Sequence, residues 1–83
     1  MSFYVYVLKS EAYNRRYIGS CANMETRLLR HNTGKVKSTK AYKPYKVIYS
    51  EEFPSRSEAL KREMFFKTIN GYNFLKNIGL YNL

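Results

Sequence analysis

Apolar residues occur in this chain as short runs whose period changes from strand-like to helical and back. Phe3 to Leu8 is an unbroken aromatic and β-branched run with no polar side at alternate positions, which predicts a strand buried on both faces. A polar stretch from Glu11 to Arg15 contains the turn-former Asn14, and Tyr17-Ile18-Gly19 then resumes an extended pattern. Two adjacent antiparallel strands follow. From Met24 the spacing is helical: Met24 and Leu28 pair four residues apart, and Arg27 and His31 form a second such pair on a neighbouring stripe. Asn23 suits the cap, Glu25 the positive end and Gly34 the left-handed stop, so the first helix is expected from about Met24 to Thr33.

Gly34 to Pro44 carries Lys35, Lys37, Lys40 and Lys43 around Val36, Ala41 and Tyr42, so no core face can be drawn and a basic loop is expected. Lys46 to Phe53 returns to strand character, closed by Pro54. Ser55 and Glu58 have capping-box spacing, in which each side chain accepts from the other residue's backbone N–H. Ala59, Leu60, Met64, Phe66 and Ile69 recur at helical spacing, and Gly71 beside Asn70 reads as the stop. Phe74, Leu75 and Ile78 suggest a short packing helix. With no repeat or low-complexity segment, the expectation is one small α+β domain over residues 1–83, in the order strand, strand, helix, strand, helix, helix.

Composition adds a partner to this picture. Hydrophobic residues make up 45% and aromatic residues 17%, values of a folding chain rather than a disordered polycation. Fifteen Lys and Arg stand against six Glu and no Asp, a formal net charge of +9 that favours polyanions, although a basic surface can also serve solubility alone. Cys21 is the only cysteine, which rules out an internal disulfide or a thiolate-rich metal site. The lone thiol and the short N-terminal apolar run lead to an expectation of a cytoplasmic protein without a membrane span.

Five side chains carry candidate chemistry. Glu63 falls on or beside the apolar stripe of the second long helix, so its carboxylate needs either an ion-pair partner, with Lys67 one turn along, or a cation at the edge of the core. Arg27 and His31 can equally be an exposed basic pair, and Tyr6 and Tyr17 can be core rings in a chain with nine tyrosines.

In order, Tyr6, Tyr17-Ile18-Gly19, Arg27-Leu28, His31-Asn32, Arg56-Ser57-Glu58-Ala59-Leu60 and Glu63 resemble the GIY-YIG nuclease family, over roughly four fifths of the chain from Phe3 to Lys67. Among its members the chain is most similar to small bacterial single-domain proteins. The resemblance implies a three-stranded antiparallel sheet flanked by helices, with Tyr6, Tyr17, Arg27 and Glu63 converging on one face. It further implies an endonuclease acting on nucleic acid, DNA ahead of RNA, with one divalent cation, Mg2+ or Mn2+, on Glu63. Arg27 would contact phosphate, Tyr17 would help activate water, and Tyr6 and His31 would orient water or relay protons. Three departures accompany the match: Tyr4-Val5-Tyr6 stands where the family has Gly-Ile-Tyr, Ser20 follows Gly19 where several relatives have lysine, and no late asparagine aligns.

Arg30, Lys35, Lys37, Lys40 and Lys43 are candidates to track a phosphate backbone, and Tyr42 and Tyr45 either stack on bases or cover the sheet. With so little chain outside the catalytic module, a protein partner could supply specificity. A noncatalytic nucleic-acid-binding module on the same fold is the alternative reading. No basic amphipathic helix supports a membrane surface as partner.

Overall fold

The Phe3 to Leu8 run becomes the middle strand of the sheet. In a computed structural model, which describes residues 1–82, β1 (Phe3–Ser10) lies between β2 (Arg16–Cys21) and β3 (Tyr45–Phe53), antiparallel to both. Helix α1 (Met24–Asn32) follows β2, and α2 (Arg56–Phe66) and α3 (Ile69–Asn77) follow β3. The architecture is the expected α+β one, with the expected element order. Val5, Tyr6, Val7 and Leu8 are fully buried, as a strand covered on both faces requires.

Alternation along β1 creates two cores. Val5 and Val7 point to one face, where Phe66, Leu75 and Leu80 close over them. Tyr6 and Leu8 point to the other and pack with Tyr45, edged by Tyr17, Met24, Leu28 and Tyr42. A register shift in β3 separates these clusters further, because Val7 pairs with Tyr49 while Leu8 pairs with Val47, leaving Ile48 as an extra residue. Tyr45 and Tyr49 are four apart and would share a face in a regular strand. The bulge sends Tyr49 against Phe66 and Tyr45 toward Tyr6.

Helix α1 begins and ends as the sequence predicts, to within a residue. The Asn23 side chain accepts from the Thr26 N–H at 3.0 Å, and Gly34 takes a φ of +77° just beyond the helix. Its last residue, Asn32, clasps the start of β3: Nδ2 donates to the Tyr45 carbonyl at 3.1 Å and Oδ1 accepts from the Tyr45 N–H at 2.6 Å. This clasp starts β3 at Tyr45, one residue earlier than the periodicity suggests.

The C-terminal helices correct the sequence reading. Helix α2 ends at Phe66, and Thr68 caps a separate helix by accepting from the Gly71 N–H at 3.1 Å. Gly71 is therefore inside α3 rather than a stop. A Cβ there would fall 2.0 Å from the Phe65 carbonyl oxygen, so a close crossing of two backbones explains the glycine. Leu60 and Met64 are exposed, because α2 turns Ala59 and Phe66 inward instead, and Ile69, also exposed, is the first residue of α3. The Ser55–Glu58 box is half formed: Ser55 Oγ accepts from the Glu58 N–H, but the Glu58 carboxylate accepts from the Ser55 hydroxyl rather than from a backbone N–H. Arg62, from the same helix, pairs with Glu51 at 2.8 Å and lies over the Phe65, Phe66 and Phe74 rings, covering the apolar core with its stem and charge. No helix among the described residues is long and apolar enough to cross a membrane.

Candidate active site

Strand pairing sets Tyr6 opposite Gly19 and Leu8 opposite Tyr17, so Tyr6, Tyr17 and Gly19 share the sheet face that α1 covers. The stripe carrying Arg27 and His31 brings both onto this face, while Met24 and Leu28 anchor the helix beside them. Four of the five candidate residues thus meet. Arg27 Nε donates to Tyr6 Oη at 3.2 Å, and Tyr6 Oη lies 3.2 Å from His31 Nε2. The Tyr17 ring sits 4.9 Å from the His31 ring, and Tyr6 and Tyr45 present further rings to His31 at 6.1 and 6.0 Å.

This packing depends on Gly19. A Cβ at that position would lie 2.5 Å from Tyr6 Oη and 3.1 Å from Tyr17 Cε1, so a side chain would occupy the space that the phenols use. The glycine of the Tyr-Ile-Gly stretch is a steric requirement of the site.

Burial sets the protonation states. His31 is fully buried, which together with the Arg27 and Arg30 charges pushes its pKa down from 6.5 to about 4 and keeps the ring neutral at pH 7. Burial likewise pushes Tyr6 up to about 12, against the opposing pull of the Arg27 hydrogen bond, so its phenol holds its proton. Arg27 is raised further above its usual value, chiefly by the Tyr6 hydrogen bond, with Tyr17 also contributing. The positive charge of the cluster is therefore the arginine's alone.

Glu63 does not share this face, contrary to the expectation that it converges with Tyr6, Tyr17 and Arg27, because α2 packs on the Val5 and Val7 side of the sheet. Its Oε1 accepts from the Ser20 hydroxyl at 2.7 Å, and Ser20 pairs with Val5 on the α2 side of the sheet. Its Oε2 pairs with Lys67 Nζ at 2.9 Å, the ion pair anticipated from the spacing. Glu63 and the Tyr6 cluster thus flank consecutive residues of the edge strand β2, Ser20 and Gly19, from opposite faces. Among the described residues no three His, Cys, Asp or Glu side chains gather as a metal cage. A mostly hydrated cation such as Mg2+ needs only one or two carboxylates, and the Glu63 carboxylate beside a hydroxyl oxygen fits that donor requirement.

Arg30, Lys35, Lys37, Lys40 and Lys43 are all exposed, forming a basic rim along the end of α1 and the segment after it. That segment is not simply a solvated loop. Thr39, within it, is 2% exposed and its Oγ1 lies 2.8 Å from His31 Nδ1. No periodicity signals Thr39, whose only sequence clue is a hydroxyl residue among lysines after a buried histidine. Tyr45 is also buried, and so is not free to stack on a base, because the Asn32 clasp turns it into the site core. Tyr42 is flanked by Arg15, 4.3 Å over its ring, and Tyr13, edge-on at 5.4 Å.

Comparison with known proteins gives a consistent picture. The GIY-YIG catalytic domain family matches residues 2–74. A UPF0213 protein of Staphylococcus haemolyticus is 42% identical over 76 residues, covering 90% of this chain and 92% of the relative. A UPF0213 protein of Streptococcus agalactiae is 43% identical over 65 residues, 77% of this chain and 73% of the relative. The solution NMR structure of a UPF0213 protein from Bacillus halodurans superposes with a TM-score of 0.55 at 27% identity, covering 95% of this chain and 86% of the other.

Proposed function

Since the chain belongs to the GIY-YIG family of nucleases, we propose that it is an endonuclease that hydrolyses phosphodiester bonds in nucleic acid, DNA in preference to RNA. The observation that carries this reading is the connected Arg27–Tyr6–His31 cluster, with the Tyr17 ring tilted against the histidine, beside a rim of exposed lysines. Arg27 is the phosphate-binding group: it stays charged, and its planar fork suits the oxygens of a pentacovalent phosphorus.

Tyr6, buried, protonated and hydrogen bonded to Arg27 and His31, is poorly suited to take a proton and instead fixes the arginine in place. Tyr17 is the phenol assigned to help orient and activate the attacking water, with Arg27 as the neighbouring positive charge, because neutral His31 supplies none. Glu63, with Ser20 orienting one carboxylate oxygen, would hold a divalent cation, Mg2+ or Mn2+. When bound, such a cation polarises a phosphoryl oxygen and offsets developing charge. Arg30, Lys35, Lys37, Lys40 and Lys43 track the backbone without reading bases.

A cleavage panel of single-stranded, duplex and branched DNA and of RNA, with Mg2+ or Mn2+, tests this reading. Cleavage is expected in the native protein and its loss in Arg27→Ala and Glu63→Ala. Cleavage that survives both substitutions overturns the mechanism. Salt-sensitive binding without any cleavage favours the noncatalytic module instead.

A further inference from the structure

Thr39 stands at the position that caps the short 3₁₀ turn Lys40–Tyr42, yet its side chain makes no capping hydrogen bond. The hydroxyl turns inward, 2.8 Å from His31 Nδ1 and 3.3 Å from the Val36 carbonyl oxygen. A hydroxyl has one proton to give, and a neutral imidazole has one donor nitrogen and one acceptor nitrogen, so the network admits two arrangements. If Nδ1 carries the proton, Arg27 Nε–H donates to Tyr6 Oη, the Tyr6 O–H donates to His31 Nε2, Nδ1–H donates to Thr39 Oγ1, and the Thr39 O–H donates to the Val36 carbonyl. Every proton then has an acceptor. If Nε2 carries it, both Nε2–H and the Arg27 Nε–H point at Tyr6 Oη, the Thr39 proton turns to Nδ1, and the fully buried Tyr6 hydroxyl loses its acceptor in the chain. A buried donor left without an acceptor is the costlier state, which favours the first arrangement.

We infer that Thr39 is a positioning residue, whose hydroxyl fixes His31 as the Nδ1–H tautomer and thereby keeps Nε2 as the acceptor that holds the Tyr6 hydroxyl under Arg27. The role parallels that of any group that orients an imidazole through its far nitrogen, and it links the lysine-bearing segment to the centre of the cluster. Thr39 touches no reacting atom. Its effect passes through His31 and Tyr6 to the arginine, and its catalytic consequence rests on the nuclease reading above.

His31 is the only histidine in the chain, so its imidazole resonances need no assignment strategy. Long-range proton–nitrogen correlation spectra at pH 7 read the tautomer directly. The native protein is expected to show protonated Nδ1, Thr39→Ser to retain it, and the near-isosteric Thr39→Val to shift toward a mixture or the Nε2–H form. On a cleaved substrate, Thr39→Val is expected to lower kcat by roughly 10- to 100-fold with KM unchanged, and Thr39→Ser to restore most of it. An Nε2–H native spectrum, or a Thr39→Val spectrum identical to the native one, overturns the inference. Should Thr39→Val fail to fold, the native and Thr39→Ser spectra decide on the same terms. If the native protein is Nδ1–H but cuts nothing, the nuclease reading fails while the assignment of the tautomer stands.

Discussion

On the Val5 and Val7 face of β1, carbon closes the structure: Phe66, Leu75 and Leu80 fill the centre, and Phe66 and Phe74 stack at 5.9 Å. On the Tyr6 and Leu8 face, one turn of side chain away, polar atoms reach the centre, with His31, Thr39 and the Tyr6 hydroxyl all buried. The first face is non-directional, so its contribution follows buried area and tolerates changes of shape that keep volume. The second depends on donors meeting acceptors, and each group removed leaves a partner unsatisfied. Stability is concentrated on one side of a single strand and the Arg27–Tyr6–His31 cluster on the other, with Glu63 alone among the candidate residues reaching the edge strand from the first side.

The largest test of that division is Phe66→Ala, expected to cost about 3–5 kcal/mol in denaturant unfolding while leaving the cleavage rate per folded molecule unchanged. Equal losses of stability and of rate per folded molecule would break the comparison. Next comes Arg27→Ala, expected to lower kcat by about 10²- to 10³-fold with a circular dichroism spectrum like the native one, and Arg27→Lys should rescue little because the fork is lost. Gly19→Ala sharpens the boundary, since its methyl group meets the Tyr6 hydroxyl rather than backbone. About 1–3 kcal/mol of destabilisation is expected, together with loss of the native Tyr6–His31 contact, visible in the His31 ring resonances.

The last test is a slope in pH. The folded-state pKa of His31 lies below its unfolded value, at about 4 against 6.5, so the unfolded chain binds the proton first. Stability is therefore full above pH 6.5 and drains as pH falls toward 4, by at most about 1.4 kcal/mol per pH unit. In His31→Gln this part of the slope should vanish from urea titrations across the window, although the variant is less stable at pH 7.

Features encoded locally were legible in the sequence. The doubly buried β1 follows from an apolar run without a polar side, and α1 from Asn23, the Met24–Leu28 spacing and Gly34. The meeting of Tyr6, Tyr17, Arg27 and His31 was legible through their order and through helical spacing, which puts Arg27 and His31 on one stripe. Contacts between distant segments were not. Gly71 fits the pattern of a helix stop, and only the crossing of α2 and α3 reveals that it is needed for contact with Phe65. Thr39 and Asn32 find partners 8 and 13 residues away through tertiary packing, so nothing in their own neighbourhood announces them. Glu63 was readable as a carboxylate beside an apolar stripe with Lys67 in reach, but its bond to Ser20 required the sheet.

The bulge at Ile48 has a consequence for how this protein can drift. Because it inverts the parity of β3, the bulge itself, as well as the strand's composition, determines that Tyr45 faces His31 while Tyr49 faces Phe66. Flattening the bulge with every residue kept would turn both tyrosines to one face, whereas loss of Ile48 itself would leave them three apart, on opposite sides of a regular strand, with the frame in which Asn32 grips the chain intact.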